Sequence, residues 1–270
     1  MSKAVLVDLT KCIGCKSCQT SCKQWNDLPA IKPQFDNTLS YPAETDGYTY
    51  TTVLHRTTEK NGQETLRFAK RQCLHCLEPA CASACFAKAI QKTPEGPVVY
   101  NPDLCVGCRY CMLACPFSIP KYDWESVFPQ IVKCQFCFDR EGTHDRIGHG
   151  MEPACVNACP TGCLKFGERD ELLKEAWKRI NKYSKYIKHV YGEKEAGGTS
   201  WLYIADVPFE TFDFRTNVPN IPLSTYSHDY LKWSPAVFIG GGALLSALHF
   251  YTKRRNEIAK EKDKNHDINA

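Results

Sequence analysis

The feature that most constrains this chain is the placement of its cysteines. It has 17 cysteines in 270 residues, and sixteen of them fall into four groups of four. The first and third groups share the spacing CxxCxxCxxxC, the second is CxxCx4CxxxC, and in the fourth a long segment precedes the third cysteine. The groups are Cys12, Cys15, Cys18 and Cys22; Cys73, Cys76, Cys81 and Cys85; Cys105, Cys108, Cys111 and Cys115; and Cys134, Cys137, Cys155 and Cys159. The alternation of two kinds of spacing indicates the duplication of a unit that carries two groups.

The CxxCxxC spacing is typical of a tight loop that wraps one [4Fe–4S] cluster and supplies three thiolate ligands. In bacterial two-cluster ferredoxins, the fourth cysteine of such a run ligates the other cluster. Gly14 and Gly107 lie inside these loops, where a missing Cβ lets backbone N–H groups approach the sulfurs. Pro116 and Pro160 follow the last cysteines of the third and fourth groups, as in the ferredoxin run that ends in Cys-Pro. The pattern therefore predicts four [4Fe–4S] clusters.

Exchange of the fourth cysteine between groups gives a specific hypothesis for the ligands. We expect the first group to exchange with the fourth, and the second with the third. The predicted sets are Cys12, Cys15, Cys18 and Cys159; Cys134, Cys137, Cys155 and Cys22; Cys73, Cys76, Cys81 and Cys115; and Cys105, Cys108, Cys111 and Cys85. Cys163 stands outside the pattern and is expected to be a small packed residue rather than a ligand.

Two other uses of cysteine fit this sequence less well than clusters do. A disulfide scaffold is disfavoured because a chain of 270 residues can bury an adequate core without covalent cross-links. Zinc ribbons use CxxC pairs that are separated by tens of residues, whereas this chain has CxxCxxCxxxC runs. His75 lies between Cys73 and Cys76, and we expect it beside a cluster or at the surface rather than as a ligand.

The charge of the chain argues against nucleic acid as a partner. The formal net charge is +4 with every cysteine counted as neutral. A [4Fe–4S]²⁺ core with four thiolates carries about −2, so four clusters add about −8 and bring the loaded chain to about −4. No basic stripe with interleaved aromatic residues is present in the body of the sequence.

The regions between the cysteine groups predict an α+β fold, organised as a duplicated bacterial two-[4Fe–4S] ferredoxin-like domain over residues 1–168. Short strands are expected at 4–9, within 48–56, and before the second and third cysteine groups, with a short helix at 18–26. The rest of the tract 30–62 is rich in turn residues and is expected to form a loop or an extended hairpin.

A second region, 169–230, is expected to hold an amphipathic helix and an extended arm. The helix is predicted over 170–183, with Asp170 as its cap and an apolar stripe that either packs on the core or docks a partner. A strand is expected at 200–207. Residues 208–230 carry prolines and aromatic residues with no period, which favours an extended arm.

The C-terminal region predicts a transmembrane helix within 231–252. Residues 233–251 form a stretch of 19 residues without a formal charge, which is about the length needed to cross a bilayer as a helix. Trp233 and Tyr251 stand at its ends, as in an aromatic belt. A basic tail, 253–270, follows it, and by the positive-inside rule this tail is cytoplasmic. The cluster domain is then periplasmic. Because no signal peptide precedes it, we expect export together with a partner in the folded state.

These motifs resemble the iron–sulfur (beta) subunit of membrane-bound respiratory formate dehydrogenases, within the four-cluster ferredoxin-like subunits of molybdopterin oxidoreductases. The resemblance is carried by KCIGCKSCQTSCKQWND, LHCLEPAC, LCVGCRYCMLACPF, KCQFCFDR, EPACVNACPTG and the single terminal apolar span. Two positions depart from the family: Phe86 stands where proline is common, and Cys163 where alanine is usual.

The resemblance implies a function and partners. A molybdenum or tungsten pterin catalytic (alpha) subunit oxidises formate, and electrons pass one at a time through the four clusters. A membrane cytochrome b (gamma) subunit of the bacterial inner membrane then delivers them to quinone. The family's ligand sets are similar to those given above. The same relay also serves hydrogenases and other molybdopterin reductases, for sulfur compounds, arsenate or nitrate, and the cysteine motifs alone do not separate these partners. No catalytic residue is expected in this chain.

Overall fold

The computed structural model describes residues 2–32, 40–60, 62–124, 127, 129–139, 142 and 145–268. Residues 33–39 and 61 of the tract for which a loop or hairpin is predicted lie outside this description. The chain divides into two compact units, 1–224 and 225–270. The domain boundary predicted at 168/169 falls inside the first unit and stays a prediction.

The described residues form nine strands and seven α-helices. The strands are β1 Lys3–Asp8, β2 Thr51–Lys60, β3 Gln63–Gln72, β4 Ile90–Lys92, β5 Val98–Tyr100, β6 Lys121–Tyr122, β7 Ile131–Val132, β8 Leu164–Glu168 and β9 Trp201–Ile204. The α-helices are α1 Ser17–Trp25, α2 Ala80–Ser83, α3 Tyr110–Ala114, α4 Ala154–Asn157, α5 Arg169–Lys182, α6 Leu223–Leu231 and α7 Ser234–Ile268. The strands and the helix predicted in the cysteine-bearing region are thereby confirmed.

One three-stranded sheet, in the order β8-β1-β9, organises the core. β1 is antiparallel to β8, with Lys3 opposite Glu168, and parallel to β9, with Val5 opposite Trp201. One face of β1 packs on α5, while the opposite face, which includes Val5, packs in a core that also holds several cysteines. The sheet therefore links the helix-covered side of the molecule to the cysteine groups. The other sheets are two-stranded hairpins, of which β2-β3 is the longest.

The duplication is visible in the backbone. Gly14 and Gly107 share a φ of +70°, and Lys16 and Arg109, with φ of 60° and 63°, take the left-handed conformation directly before α1 and α3. Helices α2 and α4 are also alike, because each has four residues and starts after a proline. The repeated sequence pattern thus builds repeated local structure around each pair of groups.

Helix α5 packs on the core instead of presenting a free apolar face. Leu172, Ala176 and Ile180 are buried against β1 and β9. The prediction that Asp170 caps this helix is wrong. Glu168 occupies the cap position without a side-chain hydrogen bond, because β8 runs directly into the helix, and Asp170 lies in the first turn, where its charge still favours the helix dipole.

The arm predicted over 208–230 is also wrong in part. Phe209–Phe212 form a 3₁₀ turn, and α6 occupies the end of the segment. The ring of Tyr191 lies 5.2 Å from that of Phe209 and 5.1 Å from that of Phe214 between centroids. These aromatic side chains follow no period in the sequence, yet they are buried because they close one end of the core.

The second unit contains α7. Its stretch Ser234–Lys260 is long and apolar enough to cross a membrane, and none of the apolar window that identifies it is buried.

Candidate iron–sulfur sites

The four predicted ligand sets are here called sites 1 to 4, and in the structure cysteines of each set lie close enough for their charges to act on one another. All seventeen cysteines carry free thiols. Site 1 is Cys12, Cys15, Cys18 and Cys159; site 2 is Cys22, Cys134, Cys137 and Cys155; site 3 is Cys73, Cys76, Cys81 and Cys115; and site 4 is Cys85, Cys105, Cys108 and Cys111. In each site, the charge of a cysteine from a distant stretch of the chain acts to raise the pKa of at least one thiol.

Sites 1 and 2 are built by exchange between the two ends of the cysteine-bearing region. Burial, together with the charges of Cys155, Cys12 and Cys15, raises the pKa of Cys18 to about 12. Burial and the charges of Cys134, Cys155 and Cys137 raise the pKa of Cys22 well above its usual range. Helices α1 and α4 pack together. This packing places Cys22, at the far end of the first run, among cysteines more than a hundred residues later.

Sites 3 and 4 are built in the same way by α2 and α3, which also pack together. Burial and the charges of Cys73, Cys115 and Cys81 raise the pKa of Cys76 well above its usual range. Burial and the charges of Cys85, Cys105 and Cys108 raise the pKa of Cys111 to about 11.

These raised pKa values have a chemical consequence. A thiol that is buried beside other thiols resists ionisation unless a cation compensates the charge, and a bound metal centre does so because a ligating thiol is deprotonated. Among the described residues, no three His, Cys, Asp or Glu side chains are placed to hold a single metal ion.

The four cysteines of site 4 line one small pocket, together with Tyr100 and Ile131. Four cysteines around one mostly apolar pocket suit a cubane cluster, which needs four thiolate ligands.

Backbone N–H groups point at the cysteine sulfurs, as cluster sites require. The Sγ of Cys134 accepts from the N–H of Phe136 at 3.3 Å, and that of Cys85 from the N–H of Ala89 at 3.2 Å. Outside the backbone, Asn26 Nδ2 donates to Cys22 Sγ at 3.4 Å. Such donors stabilise negative charge on sulfur.

His75, which lies between Cys73 and Cys76 of site 3 in the sequence, has a buried ring N–H that could donate to a bound cluster. It is fully buried, and its Nδ1 accepts from the N–H of Val98 at 2.9 Å. Burial lowers the pKa of His75 well below its usual range, so the ring is neutral and Nε2 carries the hydrogen. This N–H has no partner within the described part of the chain. A buried donor of this kind suits a cluster sulfide.

The sites follow one another through the molecule. The charge of Cys155 in site 2 contributes to the raised pKa of Cys18 in site 1. The charge of Cys73 in site 3 contributes in the same way to the raised pKa of Cys134 in site 2. Cys111 of site 4 in turn acts on Cys81 of site 3. The order is therefore 1-2-3-4. The first and last sites each have one exposed cysteine, which are Cys15 and Cys108.

Three buried or half-buried lysines beside the sites were missed by the sequence analysis. Lys70 and Lys133 are each 2% exposed, and Lys92 is partly exposed. Lys92 Nζ donates to the backbone oxygen of Cys76 at 2.9 Å, and Lys133 Nζ to that of Cys134 at 3.1 Å. Nothing in cysteine spacing marks them, and lysine in a strand ordinarily points to solvent.

The fold and the cysteine sites together define a ferredoxin-like protein with two dicluster units. Comparison with known families agrees: residues 11–89 and residues 64–169 each match a model described as "4Fe-4S dicluster domain". Two such domains account for four [4Fe–4S] clusters, so the predicted cofactor and fold class are confirmed.

Three relatives indicate which kind of dicluster protein the chain is similar to. The chain is 35% identical to a formate dehydrogenase iron-sulfur subunit of Haemophilus influenzae, over 98% of this chain and 85% of the relative. It is 31% identical to the formate dehydrogenase-O iron-sulfur subunit of Escherichia coli K12, over 96% and 89%. It is also 37% identical to the hydrogenase-2 operon protein HybA of Escherichia coli O157:H7, over 78% and 72%. The chain belongs to this family of iron–sulfur electron-transfer subunits, which includes the formate dehydrogenase iron–sulfur subunits.

Proposed function

We propose that this chain carries electrons between a molybdopterin formate dehydrogenase catalytic subunit and a membrane cytochrome b subunit, with sites 1 to 4 as the four cluster-binding sites. The observation that supports it is the unbroken order of the sites, with an exposed cysteine at each end of the series. Each site holds one [4Fe–4S] cluster, which supplies a one-electron carrier.

The protein's own residues bind and insulate these carriers. Cys22, Cys85, Cys115 and Cys159 each complete the site of a partner group, which ties the two halves of the duplication together. The inner sites 2 and 3 are shielded, since Cys22, Cys73, Cys81, Cys137 and Cys155 are buried. Electrons then enter and leave where Cys15 and Cys108 reach the surface.

A second candidate partner is a hydrogenase. HybA is named for a hydrogenase-2 operon, and its identity to this chain is no lower than that of the formate dehydrogenase subunits. The cysteine sites are compatible with either partner.

Identification of the partner subunits tests the proposal. The chain is tagged at its N-terminus, extracted from its native membranes in mild detergent, and the co-purifying subunits are identified by mass spectrometry. A large pterin-binding subunit together with a cytochrome b supports formate dehydrogenase. A nickel–iron hydrogenase subunit replaces formate dehydrogenase by the second candidate. Recovery of neither contradicts both.

We further propose that residues 233–251 cross the bacterial inner membrane, with the tail cytoplasmic and the cluster domain periplasmic. Lys253, Arg254 and Arg255 follow the span directly, and Lys232 is the nearby basic residue on the other flank. Protease added to intact spheroplasts is expected to digest the cluster domain or its loops. Full protection until lysis contradicts this orientation.

A further inference from the structure

Lys70 occupies an unusual position for a lysine. It lies on β3 and is 2% exposed. Its Nζ donates to Thr51 Oγ1 at 2.6 Å and to Gln72 Oε1 at 2.9 Å. The same Nζ lies 4.5 Å from the centroid of the Trp201 ring, which is within the range of a cation–π contact.

The neighbours of Lys70 fix its ammonium in place. Gln72 is fully buried, and its Nε2 donates to Tyr203 Oη at 2.7 Å. Tyr203 Oη in turn donates to the backbone oxygen of Lys70 at 3.2 Å. This closed set of hydrogen bonds turns the amide oxygen of Gln72 toward Nζ, so the charge has one defined position between neutral acceptors.

The ammonium has no carboxylate partner among the residues that the structure describes. A buried charge requires a compensating charge nearby. Burial lowers the pKa of Lys70, but the attraction of Cys155, Cys18, Cys134 and Cys22 outweighs burial and raises it above its usual value. These cysteines carry negative charge when they ligate a metal centre, because a ligating thiol is deprotonated. One of these cysteines belongs to site 1 and three belong to site 2.

We infer that Lys70 is a shared counter-charge for sites 1 and 2, and that it raises the reduction potentials of the clusters held there. The inference rests on the proposed binding of clusters by these cysteines. Reduction adds one negative charge to a cluster that is already anionic, and a fixed positive charge stabilises the reduced state more than the oxidised state. Because the cysteines that act most strongly on the ammonium belong to sites 1 and 2, the potentials of these two sites are expected to rise together and to respond more than those of sites 3 and 4.

Lys92 offers a matched comparison inside the same chain. Its Nζ donates to the backbone oxygens of His75 at 3.2 Å and Cys76 at 2.9 Å. The thiolates that act on it are Cys76 and Cys73, which both belong to site 3. The two lysines thus act on different sites, and removal of each charge is expected to shift the reduction potentials of different clusters.

The test is an EPR-monitored redox titration of the purified native complex, fitted with four one-electron steps. In Lys70→Met, two steps are expected to move to more negative potentials and two to stay. In Lys92→Met, one step is expected to move, and it differs from the two that move in Lys70→Met. Lys70→Arg keeps the charge and is expected to keep all four steps near their wild-type positions.

Iron content and total spin report on folding separately from potential. If Lys70→Met loses iron, Lys70→Gln, which retains a donor for Thr51, is titrated instead. Unchanged potentials in a fully loaded Lys70 variant, or equal shifts in all four steps, would overturn the inference. Fewer than four clusters in the wild-type complex would instead contradict the proposed function, independently of how the Lys70 variants behave.

Discussion

The thiol of Cys163 lies within hydrogen-bonding reach of the sulfur of Cys159. Interaction with this thiol is the leading reason that the pKa of Cys159 falls to about 4. Cys12 lies within reach of the same thiol, so Cys12 and Cys159 share its single hydrogen, and Cys163 is 4% exposed. The expectation that it is a packed residue therefore captures its burial but not its contact with two cysteines of site 1.

Replacement of Cys163 by alanine is expected to lower the reduction potential of the site 1 cluster. A hydrogen bond to a ligand sulfur stabilises the reduced, more negative cluster. A net contribution of about 1 kcal/mol corresponds to about 40 mV for one electron. Potentiometric EPR on the purified complex measures it. Cys163→Ser keeps a donor and serves as the control. A potential that does not change in the alanine variant contradicts this role.

The exchange of the fourth cysteine between groups predicts that replacement of Cys22 and replacement of Cys18 disrupt different clusters. Cys22→Ala is expected to disrupt the cluster of site 2, because Cys22 lies among the cysteines of the fourth group. Cys18→Ala is expected to disrupt site 1, although the two positions share helix α1.

EPR of the reduced complex, with iron analysis, distinguishes the two variants. Wild-type protein with four clusters contains about sixteen iron atoms. Each variant is expected to lose or convert one cluster, and the affected signals are expected to differ between the variants. Loss of the same signal in both would reject the exchange between the first and fourth groups.

The two glycines of the repeated loops predict unequal effects. A Cβ on Gly14 would lie 2.5 Å from Cδ1 of Phe68, whereas one on Gly107 meets only Tyr122 Oη at 3.1 Å. Both residues have φ of +70°, so alanine carries the same backbone strain at each position.

Gly14→Ala is therefore expected to reduce iron content and thermal stability more than Gly107→Ala. The shared strain costs about 1 kcal/mol at both positions, and the clash with the ring of Phe68 is added only at Gly14. Thermal unfolding followed by loss of the cluster absorbance compares them. Phe68→Ala removes the clashing atoms, so Gly14→Ala is expected to cost less in the Phe68→Ala background than in the wild type, and an equal cost in both would contradict the steric explanation.

The loops that carry the cysteines could be predicted from the sequence because the spacing of ligands within a loop is local. A CxxCxxC loop, its glycine and the helix after it are set by nearby residues, and α1 and β1 match the expected elements. The features that were missed depend on distant contacts. Lys70 has lysine's ordinary polar character in the sequence, and only the packing of β3 against Trp201 shows that it is buried. Phe209 and Phe214 have no period because they close an irregular end of the core around Tyr191.

The division of the chain into units 1–224 and 225–270 leads to a prediction about truncation. A chain that ends at Ser224 keeps every cysteine of sites 1 to 4 and the whole β8-β1-β9 sheet. It lacks the apolar helix Ser234–Lys260.

The truncated chain is expected to bind about sixteen iron atoms and to be recovered without detergent, because the cluster sites are complete without the second unit. The full chain is expected to remain in the membrane fraction because its helix is long enough to span the hydrocarbon core. Both are expressed without partner subunits, so that no partner retains the chain at the membrane. Centrifugation after a high-salt wash separates an embedded helix from a surface-bound protein. A truncated chain that stays in the pellet with full iron content would show that the first unit itself binds the membrane, whereas loss of iron would show that the second unit supports the cluster sites.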